Sequence, residues 1–186
     1  MRRRRPYIEP RRPFFIGCEG DCEAGYARLL DLLAREAGLP VHLHVETLTP
    51  GAGDPLARVE LAVTRLKRLR TRREDFAHRF ILLDSDQIAQ APQRAEEAKQ
   101  LAARSGIDLI WQEPCHEALL LRHLPGRTAN RPPTAQAALQ ALVQDWPQYA
   151  KPMTSARLAA RLDLDAVKRA ASVEPALAQV LAVIGL

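Results

Sequence analysis

The chain has 186 residues, of which 47% are hydrophobic and 26% are charged, and its net charge is +5. This length suits one domain with a sizeable core, and no apolar run approaches the ~20 residues needed to cross a bilayer. No secretion signal follows the basic start, so we expect a cytoplasmic protein with no membrane contact. Its three cysteines, Cys18, Cys22 and Cys115, are then expected to be reduced thiols.

The excess positive charge lies entirely in an N-terminal arm, residues 1–12. The arm holds six arginines and one acid, Glu9, so the remaining 21 basic and 21 acidic residues balance. Such an arm suits a polyanion, because neutralising phosphates releases counterions. The alternative is a solubilising tail. If the arm binds nucleic acid, the contacts are expected from Arg2, Arg3, Arg4 and Arg5.

The first half of the chain alternates strand and helix patterns. Short apolar runs or strict alternation predict four strands, at 14–18, 41–46, 80–84 and 107–111. Apolar residues at helical spacing predict helices over 22–37, 54–73 and 93–105. Asp54 followed by Pro55 is a favourable helix start, with an acid at the cap and proline at the first position.

Basic residues crowd the last turns of the second predicted helix. Cations near a helix C-terminus interact favourably with its dipole, so a solvated face is one interpretation, and a phosphate-binding rim is the other. These residues are Arg65, Lys67, Arg68, Arg70, Arg72 and Arg73.

After residue 127 the strand patterns stop. A proline-containing loop leads to helical patterns at 134–145, at 155–162 and from 163 to the end. Alternating strands and helices indicate an α/β fold with a mainly parallel central sheet flanked by helices. We therefore predict a basic arm (1–12), an α/β domain (13–126) and a C-terminal helical extension packed on that domain (127–186).

Acidic residues follow three of the predicted strands. Glu19 follows the first, Asp84 and Asp86 end the third, and Glu113 and Glu117 follow the fourth. In an open parallel sheet, ligands collect beyond the carboxyl ends of the strands. Carboxylate oxygens grouped there suit Mg²⁺ or Mn²⁺, and a cation would offset their mutual repulsion. The i, i+2 spacing of Asp84 and Asp86 predicts that both face one side.

The order of these blocks resembles a known family. Glu19-Gly20 after a first strand, followed later by a strand-borne D-x-D, is similar to the Toprim pattern of topoisomerases, primases and several nucleases. More narrowly, FFIGCEGDCEAGYARLL, FILLDSDQ, EPCHEALLLRH and YAKP together resemble the RloB-like family over about residues 13–152. These are bacterial proteins with a Toprim-type domain, often encoded with an ATPase partner in restriction and phage-defence loci.

The resemblance implies a Toprim/Rossmann-like fold and a metal site. Glu19 matches the Toprim glutamate, a general base or further ligand, and Asp84 and Asp86 match the metal-binding pair. Glu117 and His123 match an acid and a histidine of a third block. The chain departs from the family pattern at Cys22, His116 and Leu119, where the family favours threonine, an aromatic residue and a nearby tryptophan.

The implied activity is Mg²⁺-dependent hydrolysis of phosphodiester bonds in DNA or RNA, as part of a bacterial defence system. The candidates to stabilise charge or contact nucleic acid outside the arm are Arg122 and Lys151, with His123 beside them. Two alternatives stay open. The chain is a non-catalytic nucleic-acid-binding or ATPase-partner subunit, or it is a small-molecule phosphate enzyme, although GCEGD is not a phosphate-binding glycine loop.

Several other residues have a functional and a structural interpretation. His42 and His44 form an H-x-H pair that could bind a metal, but a half-exposed strand face is favoured. His116 is better explained as a polar residue at a helix N-terminus than as an acid or base. Cys115 lacks a partner for nucleophilic chemistry and is expected to be a buried thiol.

Overall fold

The structure is a computed structural model that describes residues 11–49, 54–70 and 75–186. The strands are β1 (Arg12–Cys18), β2 (Val41–Thr47), β3 (His78–Asp84) and β4 (Asp108–Gln112). The helices in these ranges are α1 (Asp21–Glu36), α2 (Pro55–Arg70), α3 (Pro92–Arg104), α4 (His116–His123), α5 (Ala135–Asp145), α6 (Ser155–Ala159), α7 (Leu164–Ala171) and α8 (Pro175–Ile184).

The four strands form one parallel sheet in the order β2-β1-β3-β4. Helices α1, α2 and α3 connect successive strands, as parallel pairing requires. The predicted α/β class, with a parallel sheet, flanking helices and a C-terminal helical segment, is therefore confirmed.

Each face of the sheet has its own hydrophobic cluster. Phe80 and Leu82 of β3 pack with α1, α4 and the C-terminal helices, whereas Ile81 and Leu83 pack with α2 and α3. This alternation is the two-residue period of a strand buried on both faces. The C-terminal helices thus share a core with α1 and the sheet.

The strand order changes direction between β1 and β3. From β1 the chain steps outward through α1 to β2, and then returns through α2 to β3 on the other side of β1. At such a switch point the connections that leave the two neighbouring strands run in opposite directions along the sheet. A crevice therefore opens beyond the carboxyl ends of the two strands. Those ends are Cys18, directly before Glu19, and Asp84.

Some element boundaries differ from the sequence predictions. Strand β3 begins at His78 rather than Phe80, because its first residues pair with Phe14 and Phe15 of β1. The single helix predicted from residue 163 onward is wrong: α7 ends at Ala171, and α8 begins at Pro175. Proline is favoured at a first helical position, but it would disrupt a continuous helix.

None of the helices within the described ranges has both the length and the apolar character that a membrane crossing requires.

Candidate functional site

A cleft of about 410 Å³ opens at the switch point, and we call it the acidic cleft. Four acidic residues, Glu19, Asp21, Glu23 and Asp84, lie in its wall with a single lysine, Lys151. The other lining residues are Gly20, Cys22 and Pro152. The sequence prediction that acids from different strand ends come together is thus met for Glu19 and Asp84.

Glu19 is held by an arginine that the sequence analysis did not single out. Arg58 of α2 donates from Nη1 to the backbone oxygens of Glu19 (2.6 Å) and Leu48 (2.8 Å). Its Nη2 lies 3.3 Å from Oε1 of Glu19, and the Arg58 side chain is buried. Glu19 also accepts hydrogen bonds from the backbone N–H of Asp84 and the amide of Gln87. This carboxylate is therefore fixed in one orientation.

Glu23 is a second residue that sequence reasoning missed. It lies in the first turn of α1, is buried, and accepts a hydrogen bond through Oε2 from the backbone N–H of Gly20 at 3.1 Å. A glutamate that reaches back to the residue before its helix is a common helix-start arrangement. The spacing of Gly20 and Glu23 was the available signal. Its carboxylate adds negative charge beside Asp84.

Asp84 is the electrostatic centre of the cleft. Its Oδ1 accepts a hydrogen bond from the backbone N–H of His116 at 2.8 Å. Burial, and then the negative charges of Glu23, Glu19, Glu117 and Asp86, raise the pKa of Asp84 to about 9. A carboxyl group in this setting is either protonated near neutral pH or paired with a cation. Lys151 does not supply that cation, because it is bound to Glu117.

Asp86 lies in the turn after β3, so the strand alternation that predicted a shared face does not extend to it. Its backbone N–H and that of Ser85 both donate to the Pro114 oxygen, which ties the turn to the segment after β4. The Oδ1 atom of Asp86 is buried and has no hydrogen-bond partner in the described part of the chain. Asp86 is outside the lining of the acidic cleft as the described residues form it.

Glu117 binds a lysine and a tyrosine rather than facing the open cleft. Its Oε1 lies 2.6 Å from Nζ of Lys151 and accepts a hydrogen bond from the Tyr149 hydroxyl at 2.8 Å. Burial opposes ionisation of Glu117, but these two donors outweigh it and hold the pKa of Glu117 below its usual range. The prediction that Glu117 faces a metal is therefore not met by its contacts here.

Lys151 reaches the cleft because the segment before α6 is pressed against α1. A Cβ atom added to Gly25 would lie 1.9 Å from the backbone oxygen of Met153. Only glycine permits this close approach, which places Tyr149 and Lys151 over the start of α1. Met153 and Tyr149 are buried, whereas 56% of the Lys151 side chain is exposed. The C-terminal segment thus contributes directly to the cleft.

His123 and Arg122 are buried, which corrects the prediction that they act on substrate or nucleic acid. His123 contacts the Leu119 oxygen through Nδ1 (2.8 Å) and the Tyr26 hydroxyl through Nε2 (2.9 Å), and burial lowers its pKa to about 4. The Arg122 side chain is 1% exposed and pairs with Glu174 at 3.0 Å. All eight residues of α4 are buried, because the C-terminal helices cover it.

The predicted basic contacts fall outside the cleft or outside the described ranges. Arg2, Arg3, Arg4 and Arg5 lie outside the described residues. On α2, Arg58 at the start reaches Glu19, whereas Arg70 at the end contacts Asp75, ahead of β3. Arg70 therefore lies at the opposite end of the sheet from the acids, whereas Arg65 pairs with Glu46 near the carboxyl end of β2. Arg72 and Arg73 lie outside the described residues.

The remaining structural interpretations are met. Cys18, Cys22 and Cys115 are free and buried, and burial raises the pKa of Cys115 to about 12, which disfavours the thiolate. His44 pairs with Glu46 on a strand face that also carries the half-exposed His42. His116 is the first residue of α4 and is 1% exposed.

The donor set fits a divalent cation only in part. Asp84 keeps Oδ2 without a hydrogen-bond donor in the described ranges, and Asp86 keeps its buried Oδ1 unpartnered. However, no three or more His, Cys, Asp or Glu side chains among the described residues are arranged to hold a metal ion together. Mg²⁺ often binds one or two protein carboxylates and completes its shell with water and substrate phosphate, so two aspartates are a sufficient protein contribution.

Comparisons of the chain with protein-family models, with curated proteins and with solved structures gave no significant match. The resemblance to the Toprim and RloB-like patterns therefore stays a prediction that rests on the sequence motifs.

Proposed function

We propose that the acidic cleft is the active site of a Mg²⁺- or Mn²⁺-dependent hydrolase that cleaves phosphodiester bonds in DNA or RNA. The observation that carries the proposal is the environment of Asp84. Burial and four other carboxylates raise its pKa to about 9, and the lysine in the cleft wall is already bound to Glu117. Such a cluster disfavours its own ionisation unless a cation joins it.

The position of the cluster supports the same proposal. Glu19 follows β1 and Asp84 ends β3, the two strands that flank the switch point, which is where ligands bind in open α/β sheets. The acidic lining alone would repel a negatively charged substrate. Once a divalent cation is bound, a site at this location suits such a substrate. Phosphodiesters meet that description.

Each residue then has a distinct role. Asp84 and Asp86 would hold the cation, which when bound polarises the phosphate and lowers the pKa of a bound water. Glu19, fixed by Arg58, would orient that water through its carboxylate or complete the ligand shell. Lys151, more than half exposed at the cleft wall, would contact a phosphate oxygen of the substrate.

The biological setting is part of the proposal and rests on the sequence resemblance. An RloB-like protein would act in the bacterial cytoplasm, in a defence system, with an ATPase partner. The buried free thiols are in keeping with a reducing compartment.

Cleavage assays test the proposed activity. The protein would be incubated with single- and double-stranded DNA and RNA in Mg²⁺, Mn²⁺ or EDTA, beside Glu19→Ala, Asp84→Ala and the matched control Asp108→Asn. Asp108 is exposed at the start of β4. We expect metal-dependent cleavage that both cleft variants abolish and the control retains.

The same assay distinguishes the alternative of a non-catalytic binding subunit. The fixed Arg58–Glu19 pair is the observation that favours it, because a permanently paired glutamate is less free to act in chemistry. Binding without cleavage, unchanged in both cleft variants and with an ATPase partner present, would support that alternative and contradict the proposed activity.

A further inference from the structure

Gln112 and His116 are two buried residues next to Asp84 whose side chains lack hydrogen-bond partners among the described residues. We call them the inner polar pair. Gln112 is 2% exposed and His116 is 1% exposed. Neither the amide atoms of Gln112 nor the ring nitrogens of His116 have a hydrogen-bond partner among the described residues. Buried polar atoms are nearly always satisfied by protein or by ordered water, so four such atoms on two residues that adjoin the end of β3 favour a bound molecule.

Both residues are attached to the β3 end through their backbones. Gln112 is the register partner of Asp84 in the β3–β4 ladder, so their side chains stand on the same face of the sheet. The Gln112 oxygen accepts a hydrogen bond from the N–H of Ser85 at 3.0 Å. The His116 N–H donates to Oδ1 of Asp84 at 2.8 Å. Gln112 and His116 therefore both belong to segments that adjoin Asp84.

Several neighbouring polar groups are already engaged with other partners. The ring of Tyr26 lies 5.6 Å from the ring of His116, but its hydroxyl is bonded to His123. The lysine and tyrosine beside Glu117 bind that carboxylate. Glu23 directs one oxygen to the N–H of Gly20.

We propose that Gln112 and His116 hold an ordered water molecule that donates a hydrogen bond to Oδ2 of Asp84. A neutral imidazole offers one donor and one acceptor, and an amide offers both, so one water can join all three side chains. The hydrogen bond from this water to Oδ2 and the hydrogen bond from the His116 N–H to Oδ1 together fix the plane of the Asp84 carboxylate.

Gln112 and His116 are then positioning residues for Asp84, and this consequence rests on the proposed function. Groups that orient a metal-binding carboxylate typically change metal affinity by about 10- to 100-fold when they are removed. Gln112→Met and His116→Phe keep the shape of each side chain and remove its polar atoms. Because both act through one water, the double variant should lose no more affinity than either single variant.

A high-resolution crystal structure of the metal-free protein tests the water itself. We expect a water peak within hydrogen-bonding distance of Gln112, His116 and Asp84. A direct Gln112–His116 hydrogen bond, an empty position, or an anomalous peak at that point in Mn²⁺-soaked crystals would overturn the proposal.

Mn²⁺ titration followed by electron paramagnetic resonance tests the positioning role. We expect about tenfold weaker binding in each variant and in the double variant. The control Ile110→Val loosens the same sheet face without touching the pair and should leave affinity unchanged at a matched melting temperature. Unchanged affinity in both polar variants would overturn the positioning role. If the unmodified protein binds no Mn²⁺, the proposed function fails, and the crystal structure alone decides the water.

Discussion

Lys151 and Glu117 form an ion pair of 2.6 Å between the segment before α6 and the first turn of α4, and Glu117 is almost completely buried. The pair joins the C-terminal extension to the edge of the sheet where the acids lie. It also explains how a carboxylate can stay charged next to Asp84, because burial alone would disfavour it.

Removing Lys151 should show how far the charged state of the buried Glu117 depends on this ion pair. We expect Lys151→Met to lower the free energy of unfolding at neutral pH by about 1–3 kcal/mol, because a buried carboxylate loses its charged partner. Adding Glu117→Gln should recover most of that loss. Urea denaturation of the two single variants and the double variant measures the coupling, with the exposed Lys168→Met as control. A loss that Glu117→Gln does not reduce would contradict the account.

Gly25→Ala should destabilise the protein, although alanine normally stabilises a helix interior relative to glycine by about 0.5–1 kcal/mol. The added methyl group would meet the Met153 backbone oxygen, which cannot move away as a flexible side chain would. We expect a loss of about 2 kcal/mol in unfolding free energy and displacement of Lys151 from the cleft. Arg28→Ala, at an exposed position of the same helix, is the control. Stabilisation by Gly25→Ala would show that the segment does not pack as described.

Asp84 should make the metal-free protein less stable as the pH rises. Its pKa is raised to about 9 in the folded state, against about 4 in the unfolded chain, so between these values the folded state binds the extra proton. The stabilising contribution of Asp84 is therefore fully present below about pH 4. As the pH rises toward 9, its loss lowers the free energy of unfolding by up to about 1.4 kcal/mol per pH unit.

Asp84→Asn should remove this slope and stabilise the metal-free protein at pH 8. Thermal unfolding in EDTA across that pH range, with Asp108→Asn as control, measures the effect. An unchanged slope in Asp84→Asn would indicate that another group titrates.

Arg122 is expected to stabilise the fold rather than to contact nucleic acid. Arg122→Met leaves Glu174 without its buried partner and should cost about 3–5 kcal/mol of unfolding free energy. Arg131 lies 3.5 Å from the same Glu174 oxygen but is 45% exposed, so Arg131→Met should cost at most about 1 kcal/mol. Equal losses, or an effect of Arg122→Met on nucleic-acid affinity without loss of stability, would contradict this assignment.

The acidic edge of the sheet could be predicted from the sequence because its position depends on local hydrophobic patterns and on parallel strand pairing. Apolar runs located β1 and β3, and parallel pairing brings Glu19, after β1, and Asp84, at the end of β3, to one edge. Arg58 was not identified because it is one of several arginines on α2. Only the packing of α2 against β1 shows that it reaches Glu19.

The burial of Arg122 and His123 had a sequence signal that was not used. The stretch HEALLLRH is apolar around most of its helix circumference, and such a helix is covered on several sides. The contact of Gly25 with Met153 had no local signal, since the two residues are far apart in the chain and meet only through tertiary packing.

The proposed function requires a divalent cation at Asp84, and Mn²⁺ titration of the unmodified protein and Asp84→Asn measures whether one binds there. We expect one bound Mn²⁺ per chain, displaced by Mg²⁺, lost in Asp84→Asn and retained in Asp108→Asn. No bound Mn²⁺ in the unmodified protein, or the same affinity in Asp84→Asn, would contradict the proposed function.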